Sequence, residues 1–126
     1  MVYTTARRMA KASTKFLDSL NPDQLKRVGY HYLDVERVYW IHRPQNRHGL
    51  AIRDMETNQR SLAFNVIESC LSPQAYQKAR SIISHELILA QIEKDEDHVR
   101  YRRDPELYYF TVFGNPEGED PWGWKA

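Results

Sequence analysis

His85-Glu86 opens the pattern of a zinc-protease helix, in which a second histidine one turn later completes the metal pair. Position 89 is Leu89, so the pair is not formed. Glu86 is instead expected at the edge of a buried helix face, paired with an arginine. His31, His42 and His48 share one stretch at loose spacing. Metal binding needs convergent ligands with support behind them, and these three read as surface or packing histidines. Cys70 lies on the apolar face of a helix, whereas a nucleophilic thiol wants a positive, partly exposed setting. It reads as a structural thiol. There is no nucleophile elbow, no phosphate-cradling glycine loop and no dinucleotide fingerprint. No catalytic residue, metal ligand or cofactor is therefore expected.

The stretch from Tyr30 to Arg53 is the one place where binding chemistry concentrates. Tyr30, His31, Tyr32, Tyr39, Trp40 and His42 alternate with Arg37, Arg43, Arg47 and Arg53. Rings beside guanidinium groups can stack on single-stranded nucleic acid. Lys plus Arg is 18 and Asp plus Glu is 17, a net charge of +1 that supplies no field to steer a polyanion. Asp34 and Glu36 in the same stretch add to that argument, and no nucleic acid partner is expected. The simplest alternative is a loop whose rings pack on helices and whose arginines pair with Asp34, Glu36 and Asp54. A small anionic ligand is the intermediate case, because a guanidinium is a planar fork. The candidate binding set is Arg37, Trp40, His42 and Arg47, with Trp122 or Trp124 nearby. Arg37, Trp40 and Arg47 are expected to converge on one concave surface.

Those side chains need a scaffold. The chain has 126 residues, 41% apolar and 28% charged, with eight Tyr, four Phe and three Trp. That is one domain, rich enough in large rings to bury a core. A single cysteine excludes an internal disulfide, and no run is long enough to cross a membrane. The acid-free start carrying Arg7, Arg8, Lys11 and Lys15 has the look of a transit peptide. Its apolar stripe continues into Phe16, Leu17 and Leu20, which favours a helix with a solvated basic face. No apolar leader precedes it, so a cytoplasmic location is expected for the chain as it stands.

Three long helices are predicted. The first runs from about Thr4 to Ser19 on the stripe of Met9, Ser13, Phe16, Leu17 and Leu20. Asn21-Pro22-Asp23-Gln24 then starts a short helix, with Asn21 as cap and Gln24 in the reciprocal position, ended by Gly29. The second long helix spans about Asn58–Leu71, capped by Thr57. The third spans about Pro73–Ile92, with Tyr76, Ala79, Ile83, Leu87 and Ala90 on one face and Ile82, Leu89 and Ile92 widening it. This third helix is expected to be central. Glu93 to Asp97 should end it in a solvated acidic corner. Val38-Tyr39-Trp40-Ile41 could form a short strand. Leu107 to Phe113 is a strand by composition, and Trp122-Gly123-Trp124 begins a return. The class is mainly α, with three or more packed helices followed by a C-terminal β-hairpin or single strand, in one module over 1–126.

Several segments carry a family resemblance. They are Phe16 to Gln24, Asp34-Val35-Glu36-Arg37 with Trp40 and Pro44, and Gly49-Leu50. Asp54-Met55 with Gln59-Arg60, and Leu71-Ser72 with Tyr76 and Lys78-Ala79, continue the series. Arg103 to Gly114 and Pro121-Trp122-Gly123-Trp124 are the most distinctive. In this order they resemble the domain of unknown function 3500 family. The resemblance implies no assigned activity. It implies members longer than this chain, continuing past Trp-Gly-Trp into a strand with a His pair, many of them with an export signal. The chain then reads as the N-terminal part of a longer family domain.

Two functions follow. The favoured one is a recognition or assembly module, non-catalytic by itself. The alternative is part of a hydrolase or metal-assisted enzyme, with a pocket built by Arg37, Trp40, His42 and Arg47 and its catalytic centre in the missing region or a partner subunit. Tyr108 to Phe113 has apolar or aromatic residues on both faces, and three helices can cover only one. An open aromatic face is expected there, leading to self-association or to binding of a β-rich partner.

Overall fold

The computed structural model describes residues 2–39, 48–93 and 104–126. Among the described residues, four helices, α1 (Val2–Asp18), α2 (Pro22–Val28), α3 (Thr57–Ser69) and α4 (Pro73–Glu93), accompany four short strands. The strands are β1 (Gly29–Tyr30), β2 (Leu50–Ala51), β3 (Tyr109–Phe113) and β4 (Gly123–Lys125), and two 3-10 turns cover Val35–Arg37 and Ile52–Asp54. The class is α+β and mainly helical, as the periodicities predict.

Local chemistry explains the helix starts. Asn21 Oδ1 accepts from the Gln24 backbone N–H at 2.9 Å, and Gln24 Oε1 accepts from that of Asn21 at 3.0 Å. At α3 the cap is Glu56 rather than the expected Thr57, which is the first helical residue. Gln59 Oε1 accepts from the Glu56 N–H at 2.8 Å. The two glutamines then meet. Gln24 Nε2 also donates to the Asp54 carbonyl at 3.0 Å, and Gln59 Nε2 to that of Ser19 at 2.8 Å.

α1 packs along α3. Phe16 and Leu20 from α1, and Ala63, Val66 and Ile67 from α3, close over Phe110 and Val112 of β3. The Phe16 and Phe110 rings lie 5.8 Å apart. α4 is peripheral, not central. None of its residues from 73 to 92 is fully buried, and Ile82, Leu87, Ile88 and Ile92 are exposed. Tyr76, Ala79, Ile83 and Ala90 do take the inner, half-buried side, but Leu87 does not. The second half of α4 places apolar residues on every side of the helix, Ile82, Ile83, Leu87, Ile88, Leu89 and Ile92 among them, so a period of 3.6 cannot choose its inner face. Residues 94–97 of the expected acidic corner lie outside the described residues.

β3 is the hub of the sheet. β1 pairs with it in parallel at Gly29–Val112 and Tyr30–Phe113, and β2 antiparallel at Leu50–Phe110 and Ala51–Tyr109. β4 returns antiparallel, with Val112 opposite Trp124 and Phe113 opposite Gly123. The expected open face of the strand is not formed. Phe110, Thr111, Val112 and Phe113 are all buried. Phe110 and Val112 face the helices. Phe113, on the other face, packs under the Tyr30 ring at 5.7 Å. The covering pieces come from the Tyr30–Asp54 stretch, whose two-residue strands are too short to show a period. Within that stretch the strand expected from Val38 is absent in its described part. Val38 caps the 3-10 turn, and Trp40 and Ile41 lie outside the described residues.

Candidate functional site

The outer face of the sheet carries a charged cluster. Lys125 sits opposite Thr111 on β3 and so points away from the helical core, since alternate residues take opposite faces. Its Nζ donates to the Glu36 carbonyl at 2.7 Å, to Glu36 Oε1 at 3.1 Å and to the Tyr39 carbonyl at 3.1 Å. The same ammonium stands 5.8 Å above the Phe113 ring. Glu36 is buried beneath the first 3-10 turn, and its other oxygen, Oε2, lies 3.0 Å from His48 Nδ1. Asp34 Oδ1 starts that turn by accepting from the Glu36 N–H at 2.8 Å.

Burial would raise the Glu36 carboxyl, but the hydrogen bonds and charges of His48 and Lys125 outweigh it and hold the group below its usual range. The Tyr30 phenol is pushed up, first by burial and then by the negative fields of Glu36 and Asp34. The His48 side chain is 72% exposed, so a carboxylate orients one ring nitrogen and leaves the other toward solvent. That is half of an acid–base arrangement.

Arg37 follows directly. Its Nε donates to the Tyr32 carbonyl at 2.8 Å, and its guanidinium lies 4.5 Å over the Tyr32 ring. Trp122 and Trp124 are half-buried against the helical core. Trp124 faces the helices with Val112, whereas the turn that bears Arg37 is tied to Lys125 on the other face of the sheet. The sheet therefore separates Arg37 from the two tryptophans. Trp40, His42 and Arg47 lie outside the described residues. The pairing expected for the arginines differs in detail. Asp54 binds Arg27 at 2.7 Å, while Asp34 caps a turn and Glu36 binds Lys125 and His48. Lys125 carried no sequence signal, because its partners lie in a loop remote in the chain.

The remaining candidates are structural. Glu86 accepts from the Tyr108 hydroxyl at 3.0 Å, tying α4 to the approach to β3. Cys70 caps α3 with its thiol 3.3 Å from the Ile67 carbonyl, and burial pushes that thiol up, away from thiolate chemistry. Among the described residues no three His, Cys, Asp or Glu side chains converge to hold a metal ion. None of the described helices is long and apolar enough to cross a membrane.

Searches of the curated proteins and of the solved structures find no match to the chain. The family described as Protein of unknown function (DUF3500) matches residues 3–126, which is essentially the whole chain and includes every segment that builds the sheet and its charged cluster. On that match, the chain belongs to the DUF3500 family.

Proposed function

We propose that the chain is a recognition and assembly module, working as one unit, that binds further copies of itself through the segment Leu33–Tyr39. One observation carries this reading. Leu33, Val35 and Val38 are 73%, 80% and 70% exposed, although the turn that bears them is pinned from beneath by Glu36 and Lys125. A mobile loop can hide apolar groups, but a pinned one keeps them in water in a fixed arrangement. Such a preset apolar surface has little ordering cost left when a partner covers it. Tyr39 and the Tyr32–Arg37 stack border it, residue types enriched where binding energy concentrates. A net charge of +1 puts no long-range repulsion between copies. This face replaces Tyr108–Phe113 as the contact surface, because that strand is covered within the chain.

Sedimentation velocity across the micromolar range tests the reading. The wild-type chain should assemble as concentration rises. Val35→Asp/Val38→Asp should stay monomeric with an unchanged melting temperature, since both sites are exposed. A wild-type monomer throughout the range would overturn the proposal. So would assembly that survives this variant and is lost in Ile88→Asp, which would move the contact to α4.

A further inference from the structure

The structure assigns Arg37 as the charged anchor of that face, a preset fork for a carboxylate that a second copy supplies from its Glu117–Asp120 turn. This inference rests on the assembly reading. Arg37 stands between acids that do not use it. Asp34 is spent on the turn, through the Glu36 N–H at 2.8 Å. Both Glu36 oxygens are taken, one by Lys125 at 3.1 Å and one by His48 at 3.0 Å. Arg37 is held by Tyr32 instead, through one N–H and one ring face. That hold fixes the plane of the guanidinium and leaves both terminal nitrogens without a partner among the described residues. Two parallel N–H groups in a fixed plane suit a carboxylate.

Asp18, Asp23, Glu56 and Glu68 are exposed acids that stand singly on helices or at a helix cap, whereas the turn between β3 and β4 carries three acids within four residues. Asp54, Asp104 and Glu106 already form ion pairs within the chain. Glu117, Glu119 and Asp120 are exposed in the turn between β3 and β4, and none has an ion pair among the described residues. The turn is held in shape, with Asn115 Oδ1 accepting from the Glu117 N–H at 2.9 Å and the Asn115 carbonyl accepting from the Gly118 N–H at 3.0 Å. Exposed Pro121 beside it gives Val35 and Val38 an apolar counterpart. Face and turn are different surfaces of one molecule, so the contact is head-to-tail and builds a ring or an open chain.

Charge reversal in solution tests this. Arg37→Glu alone and Glu119→Arg/Asp120→Arg alone should each abolish assembly, and an equimolar mixture of the two should restore it. Arg37→Lys keeps the charge but loses the fork, and should weaken association by about tenfold. All three sites are exposed, so circular dichroism and melting temperature should not change. Assembly of Arg37→Glu at the wild-type level would overturn the anchor while leaving the assembly reading intact. Failure of the mixture to assemble would overturn the turn as the source of the carboxylate. A monomeric wild-type chain would remove the assembly reading itself, and this inference with it.

Discussion

The side-chain amides of Gln24 and Gln59 donate to each other, Nε2 to Oε1 at 2.9 Å in both directions. Each also caps its own helix and reaches a backbone carbonyl of a third segment. Two helix starts distant in sequence are thereby joined through one buried, fully satisfied polar pair. Such a pair specifies a unique packing because every alternative leaves amide groups unbonded.

Gln59→Leu should therefore cost about 2–4 kcal/mol, since it leaves the Glu56 N–H, the Ser19 carbonyl and half of the Gln24 amide without partners. A double-mutant cycle with Gln24→Leu should show strong coupling, with the second substitution costing much less than the first. Urea titration of the four proteins measures it. Additive losses would mean that the two amides act independently.

Gly49 has φ +112°, and a Cβ there would stand 2.7 Å from the Phe110 carbonyl oxygen and 2.8 Å from Thr111 Cγ2. The backbone atom cannot move without breaking the β2–β3 pairing. Gly49→Ala should cost on the order of 2 kcal/mol or more, from strain and clash together. A shift in melting temperature reads it. Gly118→Ala, at a glycine with no contact closer than 3.5 Å, is the control that should change little.

The lowered Glu36 carboxyl sets the sign of an acid effect. Its folded-state value lies below the ordinary 4.5, so the unfolded chain binds the proton first. The stabilisation is present above that ordinary value and is lost as pH falls through the lower, folded value. The stability gap between wild type and Glu36→Gln should be constant at neutral pH and should shrink below it. Urea midpoints measured stepwise into the acid range check this. A gap that widens with acid would reverse the assignment.

Half-burial of α4 predicts a mild response there. Ile83→Ala should cost less than about 2 kcal/mol, whereas Phe16→Ala, at a fully buried ring, should cost about 3–5 kcal/mol. Equal losses at the two positions would place α4 in the core after all.

What the sequence determined was everything governed by neighbours within a turn or two. The α1 stripe, the Asn21–Gln24 capping box, the Ser72-Pro73 start of α4 and the aromatic β3 with its Trp-Gly-Trp return are local patterns, and each appears where the pattern puts it. What only the tertiary structure decided was which surfaces meet. β1 and β2 are two residues long, stabilised by β3 rather than by their own composition, so no period announces them. Lys125 and Glu36 stand 89 positions apart, and nothing local distinguishes that lysine from a solvated one. The same holds for α4. Its apolar residues are spread around the helix, and only the packing of α1 and α3 over β3 shows that the core is built without Ile88 and Ile92, which stay exposed.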